Sequence, residues 1–120
     1  MEVDGVPLFI QVAEQIESSI LDGSLAEESR APSTNELAAF HRINPATAAK
    51  GLAQLVADGT LYKQRGIGMF VATGARERLR ERRRAEFGRA YVEPMLTEAR
   101  RIGLDLAAVR ALIDETGADR

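Results

Sequence analysis

The chain has no cysteine and no tryptophan, a single histidine, and four prolines in 120 residues. Without cysteine there is no disulfide framework, no thiolate metal site and no thiol nucleophile. His41 lacks the converging partners that a catalytic dyad or metal site requires, and it reads as solvated or locally hydrogen-bonded. No nucleophile is spaced with a base, and no phosphate-cradling loop is followed by lysine. The chain is therefore expected to be neither an enzyme nor a cofactor or metal protein. No apolar run reaches the roughly 18 residues a membrane span needs. The start, MEVDGVPLF, is acidic and lacks the basic opening of a signal peptide. These absences point to a cytoplasmic protein.

Positive charge is also scarce where it would be most informative. Residues 1–75 carry five cations (Arg30, Arg42, Lys50, Lys63, Arg65) against nine anions. Four of those cations fall after residue 40, where Asp58 is the one acid up to residue 75. A docking face responds to its local field rather than to the net charge of −2. The acidic balance nevertheless predicts modest non-specific affinity for nucleic acid, because few phosphates are neutralised.

The apolar pattern is that of a mainly helical protein. Leu8, Val12, Ile16 and Ile20, flanked by Phe9 and Ala13, form one stripe on a helix opened by Pro7 and running to about Asp22, with Gly23 as its stop. A polar loop covers 24–30. Ser33 and Glu36 have the spacing of a capping box for a second helix carrying Leu37, Ala38 and Phe40. That helix breaks over 41–44, and Asn44-Pro45 starts a third. The third helix ends at Asp58-Gly59, with Leu52, Leu55 and Val56 expected inward. Strands at 61–64 and 69–72 flank Arg65-Gly66-Ile67-Gly68, whose glycines suit a tight hairpin. Two helices and a turn followed at once by a basic, glycine-rich hairpin are the order of a winged helix-turn-helix, which reads DNA with a helix and a β-ribbon.

The third helix is the candidate reader. Pro45, Ala46, Thr47 and Ala49 are small enough for close approach to a groove. Thr47 offers a hydroxyl and a methyl, Lys50 reaches guanine or phosphate, and the helix start offers free amides. The competing reading is an alanine-rich packing helix with one solvated lysine. At the hairpin, Arg65 can enter a narrow minor groove while Gly66 and Gly68 bring the backbone close to the sugar-phosphate wall. Lys63 is either a second cation there or a solvated strand residue. Ser33, Thr34 and Asn35 at the start of the second helix, and Arg42 in the turn, complete the set of candidate DNA contacts.

Composition changes after Gly74. Residues 75–101 read as one long arginine-rich helix, and Asp105 caps a last helix to about Thr116. Interleaved glutamates (Glu77, Glu81, Glu86) make Arg76, Arg78, Arg80, Arg82, Arg83 and Arg84 a solvated charged face rather than a nucleic-acid arm. Phe87, Tyr91, Met95, Leu96, Leu106, Val109, Leu112 and Ile113 exceed what two isolated helices can hide, and a second copy of the chain is the simplest cover. The domains expected are thus 1–74, a winged helix-turn-helix, and 75–120, a two-helix dimerisation tail.

PLFIQVAEQI, PSTNELA, NPATAAKGL, DGTL and RGIGMFV, in this order and spacing, resemble the DNA-binding domain of GntR-type bacterial transcription regulators. The short tail resembles the YtrA-like subfamily, which lacks a large effector domain. The resemblance implies a homodimer on an inverted-repeat operator, repressing a nearby operon, often one for an ABC transporter. Thr47, Arg65, Gly66 and Gly68 match the family pattern. Asn35 stands where the family usually has a DNA-contacting arginine, Ala46 where it often has asparagine or arginine, Lys50 where it often has arginine, and Met69 where it has threonine. Two alternatives accompany this reading: a winged helix used as a protein-interaction module, and a regulator that senses an unidentified small molecule between tail and winged domain.

Overall fold

The computed structural model describes residues 2–3 and 5–118, which divide into two compact units at residue 80/81. The first contains a short antiparallel ribbon, β1 (Glu2–Val3) and β2 (Val6–Pro7), then α1 (Leu8–Leu21), α2 (Thr34–His41), α3 (Pro45–Ala57), and a hairpin of β3 (Leu61–Gln64) and β4 (Gly68–Val71). The start of α4 (Ala75–Phe87) closes this unit through Ala75 and Leu79, both buried. No helix among the described residues is long and apolar enough to cross a membrane. The winged helix-turn-helix expected from the residue pattern is the fold observed.

The expected stripe on α1 is the spine of the core: Val12, Ala13, Ile16 and Ile20 are buried together with Leu37 and Ala38 of α2. Ala48, Gly51, Leu52 and Leu55 give α3 its inward face at helical spacing. Val56, expected inward, is 36% exposed, because it sits one residue past Leu55 and so turns off that face. Gly51 marks the closest approach of α3 to α1. A Cβ there would stand 2.8 Å from the Phe9 carbonyl oxygen and 3.3 Å from Val12 Cβ.

Local chemistry sets the helix ends. Ser33 Oγ accepts the Glu36 N–H at 3.1 Å while Glu36 accepts the Ser33 N–H at 2.9 Å, so the capping box is closed as expected. Arg42 then turns the chain in the left-handed region (φ 55°), its N–H donating to the Ala38 carbonyl.

The polar loop at 24–30 holds more structure than its composition suggests. Its end lies alongside the hairpin as a third strand segment: Ala31 N–H donates to Met69 at 2.8 Å, Val71 N–H to Ser29 at 3.0 Å, and Glu28 N–H to Val71 at 2.8 Å. Glu27 caps α4 from a distance, accepting the N–H groups of Gly74 at 2.9 Å and Arg76 at 3.1 Å. Glu28 accepts the hydroxyls of Thr73 and Tyr62. These donors hold both carboxyls below their ordinary range, Glu27 chiefly through the Gly74 amide and Glu28 chiefly through Thr73.

The second unit holds the remainder of the helical tail. The single long helix expected over 75–101 is observed without a gap, re-registered part-way by a π turn, Gly88–Val92, between α4 and α5 (Glu93–Arg101). The Glu93 N–H donates to Gly88, five residues back, and Pro94 has no N–H to continue the ladder, so the register shifts there. Asp105 caps α6 (Leu106–Gly117) by accepting the Ala108 N–H at 2.9 Å, as its position predicts.

Two predictions follow from the packing. Gly51→Ala forces α1 and α3 apart and should destabilise the protein by about 1–3 kcal/mol, read as a lower urea midpoint at unchanged m-value. The second concerns acid. Glu27 and Glu28 bind protons less readily folded than unfolded, so their contribution is complete above the ordinary value of 4.5 and is lost as pH falls through their lower folded values. The thermal midpoint should therefore drop below pH 4.5, and drop less steeply in a Glu27→Gln/Glu28→Gln variant; parallel curves would refute this role.

Candidate nucleic-acid interface

At the start of α3, the Asn44 side chain accepts the Ala46 N–H at 2.8 Å, and its carbonyl accepts those of Thr47 at 2.9 Å and Ala48 at 3.2 Å. Pro45 has none to give. The free amides expected here are therefore not available: the cap consumes them. What the helix offers DNA is its side chains and its dipole. Ala46 and Lys50 are exposed and Thr47 half-buried, on the side opposite Leu52 and Leu55.

Lys50 is held in place. Its ammonium lies 4.2 Å from the centre of the Phe9 ring, a cation–π contact that ties the lysine to the first turn of α1. Pro7, Leu8 and Phe9 line one open cleft with Asn44, Ala46, Thr47 and Lys50. The segment entering α1 thus borders the reading helix. The apolar stripe gave no hint of this, because it marked Phe9 only as flanking core.

The hairpin pairs Tyr62 with Phe70 and Lys63 with Met69, leaving Arg65 and Ile67 exposed at its tip. Ile67 N–H donates to Gln64 at 3.0 Å, closing the turn, and Gly66 (φ 79°) and Gly68 (φ 144°) adopt the angles it requires. Met69, in the position where the family pattern has threonine, is partly buried against the core. Ser33, Thr34 and Asn35 occupy the cap and first turn of α2, Ser33 with its hydroxyl committed to the cap. Arg42 is exposed in the turn between α2 and α3.

Other candidates resolve differently. His41 is half-buried with Phe40 edge-on to it, ring centres 5.0 Å apart, and the described residues hold no cluster able to bind a metal. Phe40 itself is 70% exposed. Arg76 and Arg78 hold backbone carbonyls: Arg76 Nε donates to Leu21 at 3.0 Å, and Arg78 donates to Thr73 at 3.2 Å and Gly59 at 3.0 Å. Arg80 and Arg82 pair with Glu77 and Glu86, each at 3.7 Å, in keeping with a solvated charged face.

A reading helix set behind a tight turn and followed by a basic hairpin defines a winged-helix DNA-binding regulator. The model of the bacterial regulatory proteins of the gntR family matches residues 9–71. The HTH-type transcriptional repressor YtrA of Bacillus subtilis is 26% identical over 113 residues, 94% of this chain and 86% of that protein. Three further curated relatives align with only 54–56% of the chain, which spans 26–28% of their length. A transcriptional regulator of the GntR family from Bacteroides thetaiotaomicron has a fold with TM-score 0.78 and 28% identity, over 91% of this chain and 95% of that one. The DNA-binding domain of AraR, solved with operator ORX1, is 33% identical at TM-score 0.55, over 60% of this chain and 87% of that one. The chain belongs to the GntR family. Its winged unit is the DNA-binding domain of that family's transcription regulators.

Lys50→Ala and Arg65→Ala should each weaken operator binding by about 1–3 kcal/mol, roughly five- to 150-fold, while both variants stay folded at the assay temperature. Fluorescence anisotropy with both variants checks this; wild-type affinity in both would remove these residues from the interface.

Proposed function

We propose that the chain acts in the cytoplasm as a homodimeric repressor, with its helical tail joining two winged units across an inverted-repeat operator. The observation that carries the dimer is apolar exposure in the tail. Phe87, Tyr91, Leu106, Leu112 and Ile113 are each about half exposed or more, and Met95 is 38% exposed. Met95, Ile102, Leu104, Leu112 and Ile113 line an apolar groove of about 570 Å³ between α5 and α6. Leu96 is half-buried, and Val109 is buried within the tail itself, where it supports that groove from below. A monomer leaving so much apolar surface wet is unfavourable, and a second copy covers it with the same surface.

The repressor reading is supported by the likeness to YtrA over nearly the full length of both chains. Regulation of a neighbouring operon, such as one for an ABC transporter, follows the family resemblance. Thr47, Lys50 and Arg65 are the residues proposed to read or grip the operator, with Lys63, Gly66 and Gly68 shaping the wing. Ser33, Thr34, Asn35, Arg42, Pro45 and Ala46 complete the contact set. A dimer of such units places its half-sites about one helical turn apart, roughly 10 bp.

Selecting duplexes from a random-sequence pool with the full chain should return an inverted repeat of that spacing. Leu112→Asp/Ile113→Asp should convert a dimer, measured by light scattering, to a monomer that keeps its fold and loses tight binding to the selected duplex. A wild-type monomer in solution, or selection of a single half-site, would overturn the dimer. Weak binding, equal on any DNA or absent at physiological salt, would instead favour the protein-interaction reading.

A further inference from the structure

We propose that Arg30 grips the DNA backbone as an additional cation of the wing, standing between the hairpin and the start of α2. The proposal rests on the DNA-binding assignment above. Arg30 belongs to the loop before α2, yet its backbone pairs antiparallel with Phe70 on the wing strand. The flanking bonds from Ala31 to Met69 and from Val71 to Ser29 hold it there. Its side chain is exposed and lies across the wing backbone at Gly68. A Cβ on Gly68 would stand only 2.9 Å from Arg30 Nε, so the glycine gives the arginine its seat.

The nearby carboxylate does not capture it. Glu36 feels Arg30 through space, but its oxygen is bound to the Ser33 N–H in the capping box. The guanidinium therefore keeps its planar fork of donors for an outside acceptor, and a phosphate matches that fork better than any neutral group. Strand pairing fixes the backbone beneath it, so binding has only the side chain's own rotamers left to order. The winged unit is poor in cations, so one more phosphate contact is a sizeable share of its electrostatic grip.

The test uses the full chain and the duplex it selects, with affinity measured across a salt series for wild type, Arg30→Gln, Arg30→Lys and Lys50→Ala. Arg30→Gln should lose about three-fold or more in affinity and reduce the slope of log K against log salt by about 0.9. Arg30→Lys should recover the slope, since it keeps the charge. Melting curves separate binding from folding, and Arg30→Gln should melt like wild type. A wild-type slope in Arg30→Gln, or an Arg30→Lys that behaves as Arg30→Gln does, overturns the proposal. If Lys50→Ala is weakened at the same time, the DNA-binding assignment stands and only the role of Arg30 falls.

Discussion

The distance between α1 and α3 governs the winged unit. At Gly51 the reading helix meets the α1 backbone with no room for a side chain, the Phe9 carbonyl on one side and Val12 on the other. That contact lets Ala48, Leu52 and Leu55 reach the α1 stripe, and it also brings the Phe9 ring beneath Lys50. One glycine thus sets both the depth of the core and the posture of the principal cation on the reading helix. A larger residue would move the helix as a body, and with it every side chain proposed to face DNA.

The wing has a different foundation. A two-stranded hairpin is marginal in water. Here the loop at 28–31 adds a third segment, and Glu27 and Glu28 bind the loop to the end of β4 and the first turn of α4. The acids that make the first 75 residues look ill-suited to DNA are therefore employed structurally. Glu27 and Glu28 satisfy N–H and hydroxyl groups, and Glu36 completes a cap. Net charge misleads in this chain because docking responds to the local field: Glu27, Glu28 and Glu36 keep their charge but are held in place by internal donors, while Arg65, Lys63 and Arg30 remain exposed.

Local chemistry was legible in the sequence. The capping box at Ser33, the Asn44-Pro45 helix start, the Asp105 cap and the glycine-rich turn each depend on residues a few positions apart, and each was found where expected. The features that escaped are long-range or subtractive. Nothing in the order of residues shows that Glu27 caps a helix nearly fifty positions later. Nor does it show that Arg30 is strand-paired with Phe70, or that Phe9 underlies Lys50. The amides expected at the start of α3 were lost to the very cap that marked the helix. The long tail helix lies where expected; what the pattern did not show is the π turn inside it, where Gly88 and Pro94 re-register its hydrogen bonds. For the proposed site, the sequence indicated the elements and the candidate cations other than Arg30, but not the contacts that hold Lys50 and Arg30 in place.

The proposed dimer answers a problem that the winged unit poses by itself. With few exposed cations, one unit neutralises few phosphates, and its grip on any DNA is weak at physiological salt. Linking two units makes the second engagement intramolecular, so affinity rises through effective concentration without a single new side-chain contact. That gain is realised only on DNA carrying two half-sites at the spacing the dimer sets, and elsewhere binding stays weak. A cation-poor winged unit joined to an apolar tail therefore favours selectivity over adhesion. In the proposed dimer the tail's apolar surface contributes to specificity alongside the reading helix.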